Sequence, residues 1–110
     1  MMKAFGILLF AATLASSQSG MKEVVYEVDG TAKYVNLTLT NPQGGKEQNQ
    51  VKLPFELKFY AKGGQFVYLS AQKGIRGNVH VLIRCSGAVL QEASADAPYG
   101  IATAEGKLPE

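Results

Sequence analysis

The amino-acid sequence predicts an all-β fold, an antiparallel Ig-like β-sandwich of about seven to eight strands. After residue 20, apolar residues recur at nearly every second position, which is the period of a half-buried strand. Glycine and other turn residues interrupt these runs at spacings of roughly eight to twelve residues, as they do in sandwiches. No segment in this part keeps the apolar period of about 3.6 residues that marks a helix. These observations favour two packed sheets and exclude a helical domain.

The first two predicted strands, residues 23–29 and 31–40, flank Asp29-Gly30. In both strands apolar residues alternate with polar ones, so that one face is apolar and the other is wet. An Asp-Gly pair favours a two-residue hairpin turn. The two strands are therefore predicted to pair with each other.

The third and fourth predicted strands follow a run of turn-forming residues at 41–45, which carries one proline and two glycines. Residues 46–53 begin with charged and polar side chains, which predicts an edge strand that resists association with other sheets. Pro54 has no N–H to donate and ends this strand. Alternation resumes over residues 55–60, the fourth strand.

Four further strands complete the prediction. Gly63-Gly64 turns the chain into residues 65–72, the most apolar run, which is predicted to be a central strand with both faces covered. A loop with two glycines follows at residues 73–77. The last three predicted strands, with Ser86-Gly87 as the turn after the first of them, are residues 79–85, 89–93 and 99–105.

The first twenty residues have the three regions of a secretory signal peptide. Lys3 precedes an apolar run over residues 4–14, and small or polar residues follow over 15–20. The run is shorter than the roughly 20 residues of a membrane-spanning helix, so cleavage is expected and no anchor should remain. Cleavage ahead of Gln18 and cleavage ahead of Gly20 both fit. The expected location is secreted or periplasmic.

The expected division of the chain is a signal peptide over 1–20, a β-sandwich domain over 21–106 and a flexible tail over 107–110. A start at Met21 is the alternative, and it would leave a cytoplasmic domain. The chain has 11 Lys and Arg residues against 9 Asp and Glu residues. This near balance gives no basis for bulk attraction to nucleic acid or to an anionic membrane.

Cys85 is the only cysteine, so the chain contains no internal disulfide, and its apolar neighbours predict a small buried side chain. His80 is the only histidine and is predicted to lie on the outer face of its strand, with no partners gathered for a metal site or a hydrolytic triad. The odd offset of five residues puts Cys85 on the opposite face from His80. We expect no catalytic residue, no metal and no cofactor.

The five tyrosines are the best candidates for a binding surface, because tyrosine combines apolar area with a polar tip. Tyr34 and Tyr60 each fall on the otherwise polar side of their predicted strands. These two residues are therefore predicted to bind a partner.

Several segments also carry a family resemblance. They are Val51-Lys52-Leu53-Pro54-Phe55, the run from Lys62 to Gln72, the run from Tyr99 to Ala104 with Gly106, and the opening run from Val25 to Ala32. In this order they resemble the soluble domain of the MmpS family, small mycobacterial membrane proteins. The most distinctive parts are the Leu-Pro-aromatic step and the Leu-Ser-Ala-Gln strand.

The resemblance implies an Ig-like sandwich outside the cytoplasmic membrane that accompanies RND-type (MmpL) exporters of lipids and siderophores. An RND-type membrane transporter or another envelope protein is the partner it implies. Members of the family keep a transmembrane helix, for which the run here is too short. They also commonly hold a disulfide, whose positions correspond here to Val81 and Ala104. We therefore predict that these two side chains are buried and adjacent.

The sequence thus predicts a secreted or periplasmic, non-enzymatic binding or adaptor module, accessory to an envelope transport system. The alternative is a self-associating surface or matrix protein that adds strands at exposed sheet edges. The sequence leaves the oligomeric state open.

Overall fold

The structure, a computed structural model, describes residues 20–110. The predicted signal peptide lies outside the described residues except for Gly20. Between residues 20 and 110 the chain forms eight strands and no helix. The strands are β1 (Met21–Asp29), β2 (Tyr34–Thr40), β3 (Lys46–Lys52), β4 (Phe55–Lys62), β5 (Phe66–Lys73), β6 (Val79–Cys85), β7 (Ala88–Ala95) and β8 (Ile101–Lys107).

The strands form two four-stranded antiparallel sheets. Sheet I has the order β4-β1-β6-β7 and sheet II the order β3-β2-β5-β8. The predicted antiparallel sandwich is therefore confirmed, and so is the number of strands. The predicted edge position of β3 and the internal position of β5 are confirmed as well.

The hydrophobic core lies between the inner faces of the two sheets. Val81 and Ala104 are both fully buried in it, on strands of different sheets, and their adjacency stays a prediction. Cys85 is 7% exposed and packs in the same core, which confirms the buried cysteine. The largest fully buried apolar side chains are Tyr26, Leu37, Leu69, Ile83, Val24, Val28, Val35, Val67, Val79 and Val81.

Tyr26 joins the two sheets through a polar contact inside the core. Its hydroxyl donates to the Thr40 carbonyl oxygen at 2.9 Å and lies 2.8 Å from Thr40 Oγ1. Its ring packs edge-on against Phe59, with 5.0 Å between the ring centroids. Burial raises the pKa of Tyr26, and the hydrogen bond to Thr40 and the nearby backbone N–H of Tyr68 oppose that rise in part.

The predicted hairpin between β1 and β2 is wrong. The two strands belong to different sheets, and residues 30–33 cross between them. Asn78, in the loop before β6, forms hydrogen bonds with the polar groups of this crossing segment. Its side-chain oxygen accepts from the Thr31 N–H at 3.0 Å, its N–H donates to Thr31 Oγ1 at 3.0 Å, and its carbonyl accepts from the Ala32 N–H. These contacts give the backbone N–H groups of residues 31 and 32 hydrogen-bond partners even though no hairpin forms.

Two other turns do form hairpins. The Asn41 side-chain oxygen accepts from the N–H groups of Gln43 and Gly45 and shapes the turn between β2 and β3. Ser86 and Gly87 have φ values of 51° and 86°, the left-handed pair of a type I′ turn, between β6 and β7. Both turns were predicted from the sequence.

The packed domain extends beyond the predicted boundary at residue 106. Strand β8 ends at Lys107, and Leu108 is buried in the core. The Leu108 N–H donates to the Gln65 carbonyl and its own carbonyl accepts from the Gly64 N–H, both at 2.9 Å. These contacts place residue 108 in the sandwich, where the sequence predicted a flexible tail over 107–110.

Candidate functional site

The candidate site is a groove at one end of the outer face of sheet II. Tyr34, at the start of β2, and Tyr99, in the loop before β8, border it and are 53% and 59% exposed. The groove is open to solvent and has a volume of about 560 Å³. We call it the Tyr34–Tyr99 groove.

Three amide side chains line the groove in one row across the sheet. The cross-strand register puts Asn36 of β2 directly opposite Gln50 of β3 on one side and Gln72 of β5 on the other. Residues opposite each other in antiparallel strands project to the same face, so the three amides stand side by side. Each amide offers both donors and an acceptor for hydrogen bonds.

The backbone of Tyr99 adopts a conformation that bulky residues rarely take. Its φ is 59°, in the left-handed region. Two contacts hold it there: the Gln72 Nε2 donates to the Tyr99 carbonyl at 3.1 Å, and the Tyr99 N–H donates to the Gly74 carbonyl at 3.0 Å. Strained residues fixed by their surroundings are frequent at functional sites.

Lys73 lies at the inner end of the groove and is only 2% exposed. It is the last residue of β5, and its register opposite Val35 directs it to the inner face. The ammonium group donates to the Gly74 carbonyl at 2.9 Å and lies 3.5 Å from the Ile75 carbonyl. Among residues 20–110, no carboxylate lies within 4.0 Å of this ammonium.

The two tyrosines predicted to bind a partner do not share a surface. Tyr34 lies on the outer face of sheet II, opposite Lys52, and borders the groove. Tyr60 lies on the outer face of sheet I, opposite Glu23, and is 57% exposed. The sequence predicts Tyr99 as the first residue of the last strand, whereas the structure places it in the loop before β8, where it lines the same groove as Tyr34.

His80 is hydrogen-bonded on the outer face of its sheet, beside two carboxylates that the sequence did not reveal. His80 Nε2 lies 2.9 Å from Glu92 Oε1, and Nδ1 lies 3.6 Å from Asp29 Oδ1. The histidine is on the outer face of sheet I as predicted, and the strands on either side bring the two carboxylates to it: Asp29 directly across on β1 and Glu92 diagonally on β7. Ser94 faces His80 on β7 beside a cavity of about 420 Å³.

This cluster offers limited chemistry. A histidine that serves a serine nucleophile needs one ring nitrogen directed at the serine oxygen. Here both nitrogens of His80 face carboxylates. Within residues 20–110 no three His, Cys, Asp or Glu side chains are grouped so that they could hold a metal ion.

No helix in the described part of the chain has the length and apolar character to cross a membrane. Comparison of the chain with protein-family models and with curated proteins finds no match. The resemblance to the MmpS family therefore stays a prediction.

Proposed function

We propose that this chain is a non-enzymatic binding module that acts outside the cytoplasm and holds its ligand in the Tyr34–Tyr99 groove. The observation that carries this proposal is the pair of exposed tyrosines beside the row of amides at residues 36, 50 and 72. Concave sites with apolar surface and a few convergent polar groups are the usual form of ligand sites.

The groove favours a ligand that has both a ring face and polar substituents. Exposed tyrosine rings give apolar contact area with little loss of side-chain entropy on binding. The amides of Asn36 and Gln50 have no hydrogen-bond partner within residues 20–110 and are free to bind polar groups. The groove therefore supports recognition without chemistry at a reactive atom.

The non-enzymatic part of the proposal is supported by the geometry at His80. Because the carboxylates of Asp29 and Glu92 face its two ring nitrogens, the imidazole is oriented toward them and away from a nucleophile. Polar contacts of this kind between exposed side chains contribute little to stability, at most about 1 kcal/mol. They fit an outer sheet face better than a catalytic centre.

The location and the partner rest on the sequence alone. The signal-peptide pattern over residues 1–20 supports export, and the resemblance to the MmpS family supports a role as an accessory to an RND-type exporter or another envelope protein. Co-purification of the tagged chain with such an exporter from the native host tests this role. Failure to co-purify would leave the groove intact as a ligand site but remove the transport role.

The binding function is tested by a ligand-observed NMR screen of saccharides and aromatic acids against the intact chain. We expect ligands whose binding signals disappear with the Tyr34→Ala variant and persist with the Tyr60→Ala variant. Tyr60→Ala is the matched change on the outer face of the other sheet. Hits that persist with Tyr34→Ala, or a screen with no hits, would contradict the proposal.

Self-association is the second candidate function, and one observation favours it. Strands β3 and β4 are edge strands on the same side of the sandwich, and the middle of β3, Gln48-Asn49-Gln50, is exposed and uncharged. Exposed edges without charges can pair with other chains. Light scattering over a range of protein concentrations tests this function. A molecular mass that rises with concentration, and that Gln48→Lys lowers, supports self-association. A constant monomer mass contradicts it.

A further inference from the structure

We infer that the Tyr34–Tyr99 groove binds saccharides that carry a carboxylate, with Lys73 and Arg76 as the groups that receive the negative charge. This inference rests on the proposed binding function and names its ligand class. It follows from the charge of the groove, from the environment of Lys73 and from the polar groups beside the two tyrosines.

The groove has charge of one sign only. Among residues 20–110, the charged residues that line it are Lys33, Lys73 and Arg76, and none of the lining residues is Asp or Glu. Lys52, opposite Tyr34 on β3, adds a fourth cation at this end of sheet II. A cleft lined by charges of one sign concentrates ligands of the opposite sign.

Lys73 is the strongest single indication of an anion. Its side chain is almost wholly buried, and a buried charge is unfavourable unless it is paired or fully hydrogen-bonded. The ammonium group has three donors, and the carbonyls of Gly74 and Ile75 account for two of them at most. These carbonyls belong to the loop that lines the groove, so the buried ammonium places positive charge directly beneath the loop and attracts a carboxylate bound in the groove.

Arg76 lies three residues further along the same loop and is exposed. Its guanidinium group has the planar fork of N–H donors that matches a carboxylate. It therefore provides the exposed part of the anion site, while Lys73 is fixed by packing.

The remaining groups of the groove match a sugar ring better than a simple anion. The amide row of Asn36, Gln50 and Gln72 can donate to and accept from hydroxyl groups. Tyr34 and Tyr99 offer exposed rings to the apolar face of a sugar. A uronic acid unites the ring, the hydroxyls and the carboxylate in one ligand.

The opposite side of the sandwich provides an internal contrast. Tyr60 on sheet I is as exposed as Tyr34, but its direct neighbour is Glu23, which lies 3.9 Å from Lys58. Within the described part of the chain, its surroundings are of mixed charge and carry no amide row. Tyr60 and Lys58 therefore supply matched control positions.

The test is isothermal titration calorimetry of the intact chain with trigalacturonate and with its methyl ester, which keeps the rings and removes the charge. We expect the acid to bind at least about tenfold more tightly than the ester, since hydrogen bonds to charged groups are the stronger ones. Lys73→Met and Arg76→Gln should each reduce that ratio, and Lys58→Gln should leave it unchanged. Added salt should weaken the binding of the acid and leave the binding of the ester unchanged.

Equal binding of acid and ester, or a ratio that both Lys73→Met and Arg76→Gln leave unchanged, would overturn the inference. If Tyr34→Ala still abolishes that binding, the groove remains a ligand site and only the ligand class is wrong. Failure of both saccharides to bind also overturns the inference. Should Lys73→Met fail to fold, the exposed Arg76 decides the outcome alone.

Discussion

The Tyr26 hydroxyl donates to the Thr40 carbonyl across the core, and this contact links β1 of sheet I to β2 of sheet II. Thr40 Oγ1 in turn accepts from the Tyr68 N–H at 3.0 Å, so three strands meet at one buried polar cluster. Most of the contact between the sheets is apolar, and apolar contacts do not by themselves fix how one sheet is positioned over the other. This cluster gives the sheets a fixed lateral position, because only one register aligns its donors and acceptors.

Tyr26→Phe should lower the free energy of unfolding by about 1–3 kcal/mol, since the change removes one partner and leaves buried polar atoms of Thr40 without it. Urea unfolding monitored by circular dichroism measures this loss. Tyr60→Phe is the control, because Tyr60 is exposed and should change stability little. Equal effects of the two substitutions would contradict the structural role of the buried hydroxyl.

The raised pKa of Tyr26 predicts a loss of stability at alkaline pH. Below the ordinary tyrosine pKa of 10.0 the phenol is neutral in both the folded and the unfolded chain, and its stabilising contribution is complete. Above 10.0 the unfolded chain releases the proton first, so the free energy of unfolding falls as the pH rises toward the folded pKa. Tyr26→Phe should make that fall shallower. Parallel curves for the two proteins above pH 10.0 would count against it.

Gly77→Ala should be more destabilising than Gly87→Ala. Both glycines have left-handed φ values, 83° and 86°, so both substitutions carry a similar backbone penalty of about 1 kcal/mol. A Cβ at Gly77 would also lie 2.7 Å from the Ala32 backbone nitrogen, whereas a Cβ at Gly87 meets open space. Thermal unfolding of the two variants measures the difference. Equal melting temperatures would contradict the close approach of the two loops.

The predicted adjacency of Val81 and Ala104 can be tested by a disulfide. Val81→Cys with Ala104→Cys, in a chain with Cys85→Ala, should oxidise to an internal bridge if the Cβ atoms lie within about 4.5 Å. Mass spectrometry after thiol alkylation counts the free cysteines, with each single-cysteine variant as control. Two free thiols in a folded, oxidised chain would remove this support for the resemblance to the MmpS family.

The strands were predictable because alternation is local, and the inner positions of β1, β2, β5 and β6 follow from it directly. The pairing of the strands was not predictable in the same way, because Asp29-Gly30 indicates a turn but does not determine which strand β2 pairs with after it. The same limit hid the carboxylates beside His80, which come from strands 51 residues before and 12 residues after it in the chain.

The groove could be predicted only in part. Tyr34 was visible as an aromatic residue on a polar face, but Tyr99, which lines the same groove, is 65 residues away, and its position depends on how the loop before β8 folds. The position of Lys73 could have been predicted from the sequence. The inner alternation of Val67, Leu69 and Ala71 continues to it, which marks a lysine on a buried face.

The central claim is that the Tyr34–Tyr99 groove is the ligand site, and an NMR titration of the isotope-labelled chain with trigalacturonate tests it most directly. Backbone amide shifts should move at residues 34, 36, 72 to 76 and 99, and should stay fixed around Tyr60 and His80 on sheet I. Shifts centred on sheet I would contradict it, whereas an absence of shifts on addition of trigalacturonate would overturn the proposed ligand class.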